Sequence, residues 1–449
     1  MEENNKLKKE IGLFTATFIV AGNIIGSGIF MLPATLAEVS GPGATMAAWI
    51  ITGIGSIFLA LSFARLGSKI PKTGGPYQYA KIAFGDFVGF TNAWLYWSAT
   101  CISNAAIITA IASYSSSLVP VLKTNGLYAF LYTSAILWAF NILNIIGVKQ
   151  ASAFETVITI FKLGVFLVFV IIGFANFNPQ YITPAFPKGK GFSTVPLAAA
   201  TTLWAFSGFE SASIAAGEIK SAEKNVKLST IYGLLIAVLV YLVISFVAMG
   251  GLPQDMLAKS NSPMSDILAL HLSSNAVNLF LLAIVITIFG TIAGWIMLTA
   301  RISYAAAVDG MFPQAFAKIH PKYRTPHVGI IINGILTNIV LLMNYTGSMT
   351  SAYNFMILLA TLAYLPVYAI TNAADILLLS KREEKFNVGN FIINSVVPLI
   401  GFIYAIWAVY GTGAESALYG LLLGLMGIPF YIYMKMKDKK QMEKIRKQQ

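Results

Sequence analysis

The chain has 449 residues, of which 57% are hydrophobic and only 11% charged, and its mean hydropathy is +0.73. No soluble core of this length requires so much apolar surface, so the composition excludes a soluble globular protein and points to an all-α polytopic membrane protein. The formal net charge of +12 excludes a nucleic-acid partner by its placement, because the basic residues lie in alternate connections between apolar runs.

Apolar runs near twenty residues long give twelve candidate spans, approximately 11–36, 43–67, 86–117, 126–147, 151–174, 195–217, 228–251, 275–305, 327–346, 352–379, 390–411 and 416–434. An even number puts both termini on one side. With the segment 1–10 inside, 25 basic residues become cytoplasmic: Lys6, Lys8 and Lys9, Arg65 to Lys81, Lys149, Lys220 to Lys227, Arg301 to Arg324, Lys381 to Lys385 and the tail 435–449. Four fall outside, Lys123, Lys188, Lys190 and Lys259, which satisfies the positive-inside rule. The basic tail reads as an orientation signal lying against anionic lipid. The first span is too long for a cleaved signal peptide.

The first span is interrupted by Ala21-Gly-Asn-Ile-Ile-Gly-Ser-Gly-Ile-Phe30. Gly26, Ser27 and Gly28 pack poorly against lipid, and the glycines disfavour helix, so local unwinding is expected there. Unwound backbone in hydrocarbon must line a cavity or bind something polar, and a second half-helix starting near Ser27 would offer free N–H groups and a positive dipole end to a carboxylate. The alternative is a small-residue helix-packing patch. Beyond the second span, Ile70 to Ala80 mixes turn residues with two tyrosines and reads as a tight connector or a gate loop. In the third span Tyr96, Thr100 and Asn104 follow one another at four-residue steps, with Ser103 beside them. They share a helix face that either glues helices together or lines a polar cavity.

The fifth span carries Glu155 and, seven residues on, Lys162. A lysine inside a span is costly and reads as functional; snorkelling, or pairing with Glu155 on the same face, is the alternative. In the sixth span a second small-residue break, Ser207-Gly208, leads directly to Glu210, a candidate proton carrier or cation partner that can also cap a half-helix. Interruptions in the first and sixth spans are what a five-plus-five inverted repeat of ten helices produces, with the site between the breaks. That divides the chain into a first repeat over 11–174, a second over 195–379, and helices eleven and twelve over 390–434, which carry no buried charge and read as scaffold or a homodimer surface. In the eighth span Trp295 lies deep, where a tryptophan most often serves the core.

Cys101 is the only cysteine, and His271, His320 and His327 lack metal-ligand spacing. With no nucleophile elbow, phosphate loop or paired-carboxylate site, no catalytic residue, cofactor or metal is expected, and the chain does not read as an enzyme.

These residues resemble a known family, the amino acid–polyamine–organocation transporters, and within it the basic amino-acid/polyamine antiporters such as the arginine/agmatine and cadaverine/lysine exchangers. The resemblance runs over nearly the whole chain. It is carried by Gly22-Asn-Ile-Ile-Gly-Ser-Gly28, Leu95-Tyr-Trp97 followed by Asn104, Leu203-Trp-Ala-Phe-Ser-Gly-Phe-Glu-Ser-Ala212, Gly294-Trp295, Ala305-Ala-Val-Asp-Gly-Met-Phe-Pro313 and Tyr404-Ala-Ile-Trp-Ala-Val-Tyr410. It implies the ten-helix inverted-repeat fold with discontinuous helices one and six, in a bacterial inner membrane. It also implies a substrate carboxylate at Ser27 and Gly28, beside Gly26, and an α-amino group at the carbonyls of Ile24, Trp204 and Ser207. The side-chain end would lie near Ala99, Thr100 and Asn104, with Tyr96, Trp204 and Trp295 as aromatic gates and Glu210 setting pH dependence. A cationic tail stacking on tryptophan suits such a site.

Two departures qualify the likeness. The antiporters have a tenth-span serine and a tyrosine directly after its proline, where this chain has Leu359 and Val367. Lys162 instead matches a lysine of proton-coupled and broad-range exchangers, at the place of a sodium ion in sodium-coupled relatives. The expected function is therefore exchange of a cationic amino acid for a polyamine or another amino acid, with a proton-coupled symporter of neutral amino acids as the alternative and a channel or transporter-like nutrient receptor behind both.

Overall fold

The computed structural model describes residues 9–343, 349–380 and 388–446. The first eight residues, the end of the ninth span beyond 343, the Lys381 to Lys385 cluster and the last three residues of the tail lie outside the described residues. Among those described, ten helices are long and apolar enough to cross a membrane, and two shorter apolar helices, Phe192–Phe206 and His327–Leu341, occupy the sixth and ninth spans.

In chain order the first span is α1 (Leu13–Ile24) and α2 (Gly28–Val39), followed by α3 (Pro42–Lys69), α4 (Pro76–Phe84), α5 (Asp86–Leu118), α6 (Gly126–Ile146) and α7 (Val148–Ala175). The sixth span is α8 (Val195–Phe206) and the single turn α9 (Ser211–Ile214). The remainder is α10 (Ala222–Gly251), α11 (Pro263–Ala269), α12 (Ser274–Val308), α13 (His327–Leu341), α14 (Met349–Ser380), α15 (Val388–Gly411) and α16 (Ala414–Arg446). Helices satisfy their own backbone, which is why they span here and why the two breaks stand out.

Local chemistry sets the boundaries. Asn125 caps α6 by accepting from the N–H groups of Leu127 (3.0 Å) and Tyr128 (3.3 Å). Gly41 and Gly43 turn the chain under the 176–194 connection, where a Cβ would lie 2.6 Å from Pro187 and 2.7 Å from Phe186. Lys190 Nζ closes that corner on the Ala37 carbonyl at 2.6 Å.

Burial is graded from the centre outwards. The apolar stretch of α5 is 89% buried, whereas those of α15 and α16 are only 28% and 17% buried. Large side chains such as Leu239, Ile393 and Leu421 project outwards, as lipid contact demands. Helix α5 packs against α12 and α14, and α1 against α7 and α10, so the two broken spans sit inside a cage of long helices.

Three expectations change. Arg301, grouped above with a cytoplasmic loop, lies inside α12, buried, and its guanidinium grips the Glu218 carboxylate at 2.6 and 3.0 Å. The apolar run over 275–305 already covers this position, and the ion pair is what lets the charge stay inside the helix. The second half of the sixth span is one helical turn instead of a half-helix, since Gly208 takes φ +115° and the Ser211 and Ser213 hydroxyls bond back to the carbonyls of Gly208 and Glu210. The basic tail continues the last helix to Arg446, and Lys435 pairs with Asp86 at 2.6 Å.

Candidate functional site

The two breaks meet. A Cβ on Gly208 would lie 2.9 Å from the backbone of both Asn23 and Ile24, so only glycine allows the sixth-span break to close on the first. The Tyr241 hydroxyl of α10 lies between the carbonyls of Ile24 and Ala205, 2.8 Å from the latter, and ties the two together. Helix α2 starts at Gly28 with Ser27 at its N-cap. The N–H groups of Ser27, Gly28 and Ile29 therefore head a helix without carbonyls one turn earlier to receive them. Ser27 Oγ is buried with no hydrogen-bond partner.

Around this junction is a cavity of about 10 Å³, lined by Asn23, Ile24, Gly26, Gly28, Ile107, Trp204, Ala205, Ser207 and Trp295. Such a volume holds about one water molecule. Six expected substrate residues, Ile24, Gly26, Gly28, Trp204, Ser207 and Trp295, converge on it, and Asn23, Ile107 and Ala205 join them. The Ile24 carbonyl accepts from Gly26 N at 2.7 Å, and the Trp204 carbonyl from Ser207 N and Ser207 Oγ. Trp295 Nε1 donates to the Asn23 carbonyl at 3.0 Å. Trp204 Nε1 donates to Ser103 Oγ at 3.1 Å.

The polar face of α5 lies outside that cavity, and most of it reaches across helices. Tyr96 donates to Glu210 Oε1 at 2.8 Å, Ser103 meets the Tyr364 hydroxyl at 3.2 Å, and Asn104 Nδ2 donates to Thr299 at 3.1 Å. Thr100 turns back to its own helix, at Trp97 O (2.8 Å), and Ala99 is buried beside it. In this arrangement the stripe acts as interhelical glue, the reading set against a polar cavity above. Asn104 Oδ1 nevertheless remains buried without a partner.

Lys162 is fully buried, and its ammonium donates to Gly22 O (3.2 Å), Ile25 O (2.5 Å) and Thr291 Oγ1 (2.7 Å). It neither snorkels nor forms an ion pair with Glu155. The unwinding of the first span frees the Ile25 carbonyl it needs. Glu210 Oε1 accepts from Tyr96 and from Tyr368 (3.1 Å), and Oε2 from Gly208 N (3.1 Å). It stabilises the turn at Gly208 without capping α9, whose N-cap makes no side-chain bond.

Several residues escaped the sequence reading. Tyr364 and Tyr368 stack on α14 at 5.9 Å, 7° from parallel, Tyr364 stands 6.2 Å from the ring of Trp295, and Tyr353 packs edge-on against Trp204 at 5.8 Å. Their signal in the sequence is a four-residue tyrosine repeat on either side of Pro366. The Ile70 to Ala80 segment is also more than a connector. Tyr77 and Gln78 donate to Asp309 Oδ2 at 2.8 and 3.2 Å, Lys81 joins it at 3.0 Å, and Gly74 N bonds Ile214 O under the sixth break. Burial and the Asp309 carboxylate both disfavour the Tyr77 phenolate and hold its hydroxyl proton in place, raising its pKa.

Broken first and sixth spans, closed on one another inside a cage of membrane-length helices, define a multi-pass membrane protein of the broken-helix kind. The chain belongs to the amino acid permease family, whose model matches residues 11–430. It is 32% identical to a putative arginine/ornithine antiporter of Bacillus subtilis, over 97% of this chain and 99% of that protein. It is also 32% identical to an arginine/agmatine antiporter of Chlamydia abortus, over 96% and 91% of the two chains. A putative amino-acid transporter of Clostridium perfringens is 28% identical over 94% of this chain and 91% of its own length.

Proposed function

We propose that the protein is a secondary-active transporter that exchanges a cationic amino acid for a polyamine or another amino acid by alternating access. The observation that carries this reading is the meeting of the two breaks around a cavity of about 10 Å³. Ligand sites are commonly hundreds of Å³, so admitting an amino acid requires the broken spans to part, and parting them on one side at a time is alternating access. The names of the Bacillus and Chlamydia relatives support antiport of arginine-like substrates.

In this reading the N–H groups of Ser27 and Gly28 receive the substrate carboxylate, and the carbonyls of Ile24, Trp204 and Ser207 receive its amino group. Gly26 keeps the backbone open. The side chain extends towards Ala99, Thr100 and Asn104, with Tyr96, Trp204 and Trp295 closing over it. Lys162 is a fixed charge in place of a metal cation, and Glu210 sets the pH dependence. The repeats run over 11–174 and 195–379, both termini are cytoplasmic in a bacterial inner membrane, and the peripheral helices α15 and α16 offer a homodimer surface in contact with lipid. Proton-coupled symport of neutral amino acids is the second reading, favoured by Lys162, Leu359 and Val367.

A thermal-shift screen of amino acids and polyamines on purified protein tests the substrate class. A binder at 100 times its Kd stabilises the folded state by about 2.7 kcal/mol. Arginine, ornithine or a diamine should raise the Tm; a response to neutral amino acids alone overturns the cationic assignment.

A further inference from the structure

Glu155 is fully buried on α7, and neither of its carboxylate oxygens has a hydrogen-bond donor. Each of the other buried carboxyls among the described residues holds a positive group or several donors: Glu218 holds Arg301, Asp375 holds Arg65 through Oδ2, and Glu210 holds two tyrosines and a backbone N–H. Two positive groups are near Glu155, and both are committed elsewhere. Lys162 gives its donors to Gly22 O, Ile25 O and Thr291, and Arg301 gives its own to Glu218 and Met297 O. Helices α1 and α6 bring no acidic or basic side chain to it. Glu223, Lys224 and Lys227 of α10 are exposed, and Asp266 of α11 is held by Ser260 and Ser262. An ionised, unpaired carboxylate in this position costs many kcal/mol.

A second orphan lies against the first. Asn23 Oδ1 is buried without a partner, although its Nδ2 donates to Ser211 Oγ at 3.2 Å. Both oxygens crowd one point beside α12, since a Cβ on Gly294 would lie 2.4 Å from Glu155 Oε1 and 2.5 Å from Asn23 Oδ1. Thr159, the nearest hydroxyl, donates to the Glu155 backbone carbonyl at 2.8 Å. Two bare acceptors converging on one point repel, and a single hydrogen on the carboxyl removes its charge and offers Asn23 Oδ1 a donor, because a protonated carboxyl is a donor. Turning the Asn23 amide over does not achieve this. Oδ1 would then face Ser211 Oγ, whose hydrogen is already engaged with Gly208 O at 2.5 Å, so the orphan moves instead of disappearing.

We propose that Glu155 and Asn23 form a proton-binding site, in which Glu155 carries a proton and donates it to Asn23 Oδ1, separate from Lys162 and Glu210. The shared proton ties α7 to the last turn of α1, directly before the break at Gly26. Releasing it puts two acceptors face to face and loosens the first span from α7, so proton occupancy biases the parting of the broken spans. The proton is bound, and nothing requires it to be carried across.

The test is infrared spectroscopy of the purified protein at neutral pH in an ester-free detergent, reading the carbonyl stretch of protonated carboxylic acids, with uptake against pH as a second measurement. The band should be present in the wild type, disappear in Glu155→Gln and persist in Glu210→Gln. Uptake in the wild type should fall several-fold as alkaline pH strips the proton, while Glu155→Gln, which keeps a donor for Asn23, loses that alkaline fall and keeps the remaining pH dependence set by Glu210. Absence of the acid band in Glu210→Gln overturns the proposal even if Glu155→Gln fails to fold. A Glu155→Gln protein with the wild-type band, or uptake that requires sodium and loses that requirement in Glu155→Gln, also overturns it. The infrared readout needs no substrate, so its failure is distinct from failure of the exchanger assignment.

Discussion

Trp204 and Asn104 separate general from selective binding. The Trp204 ring lies at the junction of the breaks, where a Cβ on Gly28 would come within 3.3 Å of it. Any ligand crossing that point meets this face, so Trp204→Ala should weaken binding of every substrate at least tenfold with the fold retained. Asn104 keeps one unpartnered acceptor, Oδ1, and a buried acceptor discriminates by what satisfies it. Asn104→Ala should lower affinity for arginine-like ligands far more than for alanine, measured by isothermal titration; equal losses remove Asn104 from a specificity role. Lys162 and Glu210 separate the two coupling schemes. Lys162→Ala takes the ammonium from the Ile25 carbonyl, whereas Gly22 O keeps the Thr291 hydroxyl at 3.3 Å, and an unsatisfied buried carbonyl costs about 1–3 kcal/mol. It should lower the Tm and impair exchange, while Glu210→Gln should flatten the pH profile of exchange. Gradient-driven uptake that vanishes in Lys162→Ala with exchange preserved would instead establish the symporter.

At the scale of elements, the contact between the breaks rests on Gly208. An alanine there suffers a φ of +115°, worth roughly 1–2 kcal/mol, and also a Cβ 2.9 Å from the backbone of the first span. Gly85 isolates the first effect, having φ +87° with nothing within 4 Å of its Cβ position. Gly208→Ala should therefore lose more thermal stability than Gly85→Ala and should abolish uptake, which Gly85→Ala retains; matching behaviour of the two variants contradicts the docking of the breaks. Both interruptions were legible in the sequence because glycine and serine inside an apolar run announce themselves. A site between them was legible too; their direct backbone contact was not, because it depends on Tyr241 and on the conformation of Gly208, neither of which has a local signature. The face of α5 was legible as a face, since four-residue spacing fixes it. Its partners Thr299, Tyr364 and Glu210 lie 114 to 261 residues away in sequence from the α5 side chains they bond, a separation no periodicity encodes. Arg301 shows the opposite limit, because its charge reads as a loop residue whereas Glu218, 83 residues away, holds it inside the helix.

Across the whole molecule, the hydropathy pattern located the spans, and the N-terminal segment and the stretch after the sixth span lie on one side, joined where Ile11 and Lys220 exchange backbone bonds with Glu218 and Ile11. What the bundle does with its closed centre is read out by uptake of labelled arginine into proteoliposomes. An exchanger takes up arginine only when the vesicles are loaded with arginine, ornithine or a diamine; that uptake is saturable, and it is small when an imposed pH gradient is the sole driving force. Robust uptake into empty vesicles under a pH gradient, current without saturation, or binding with no flux at all would contradict exchange and identify a symporter, a channel or a receptor respectively.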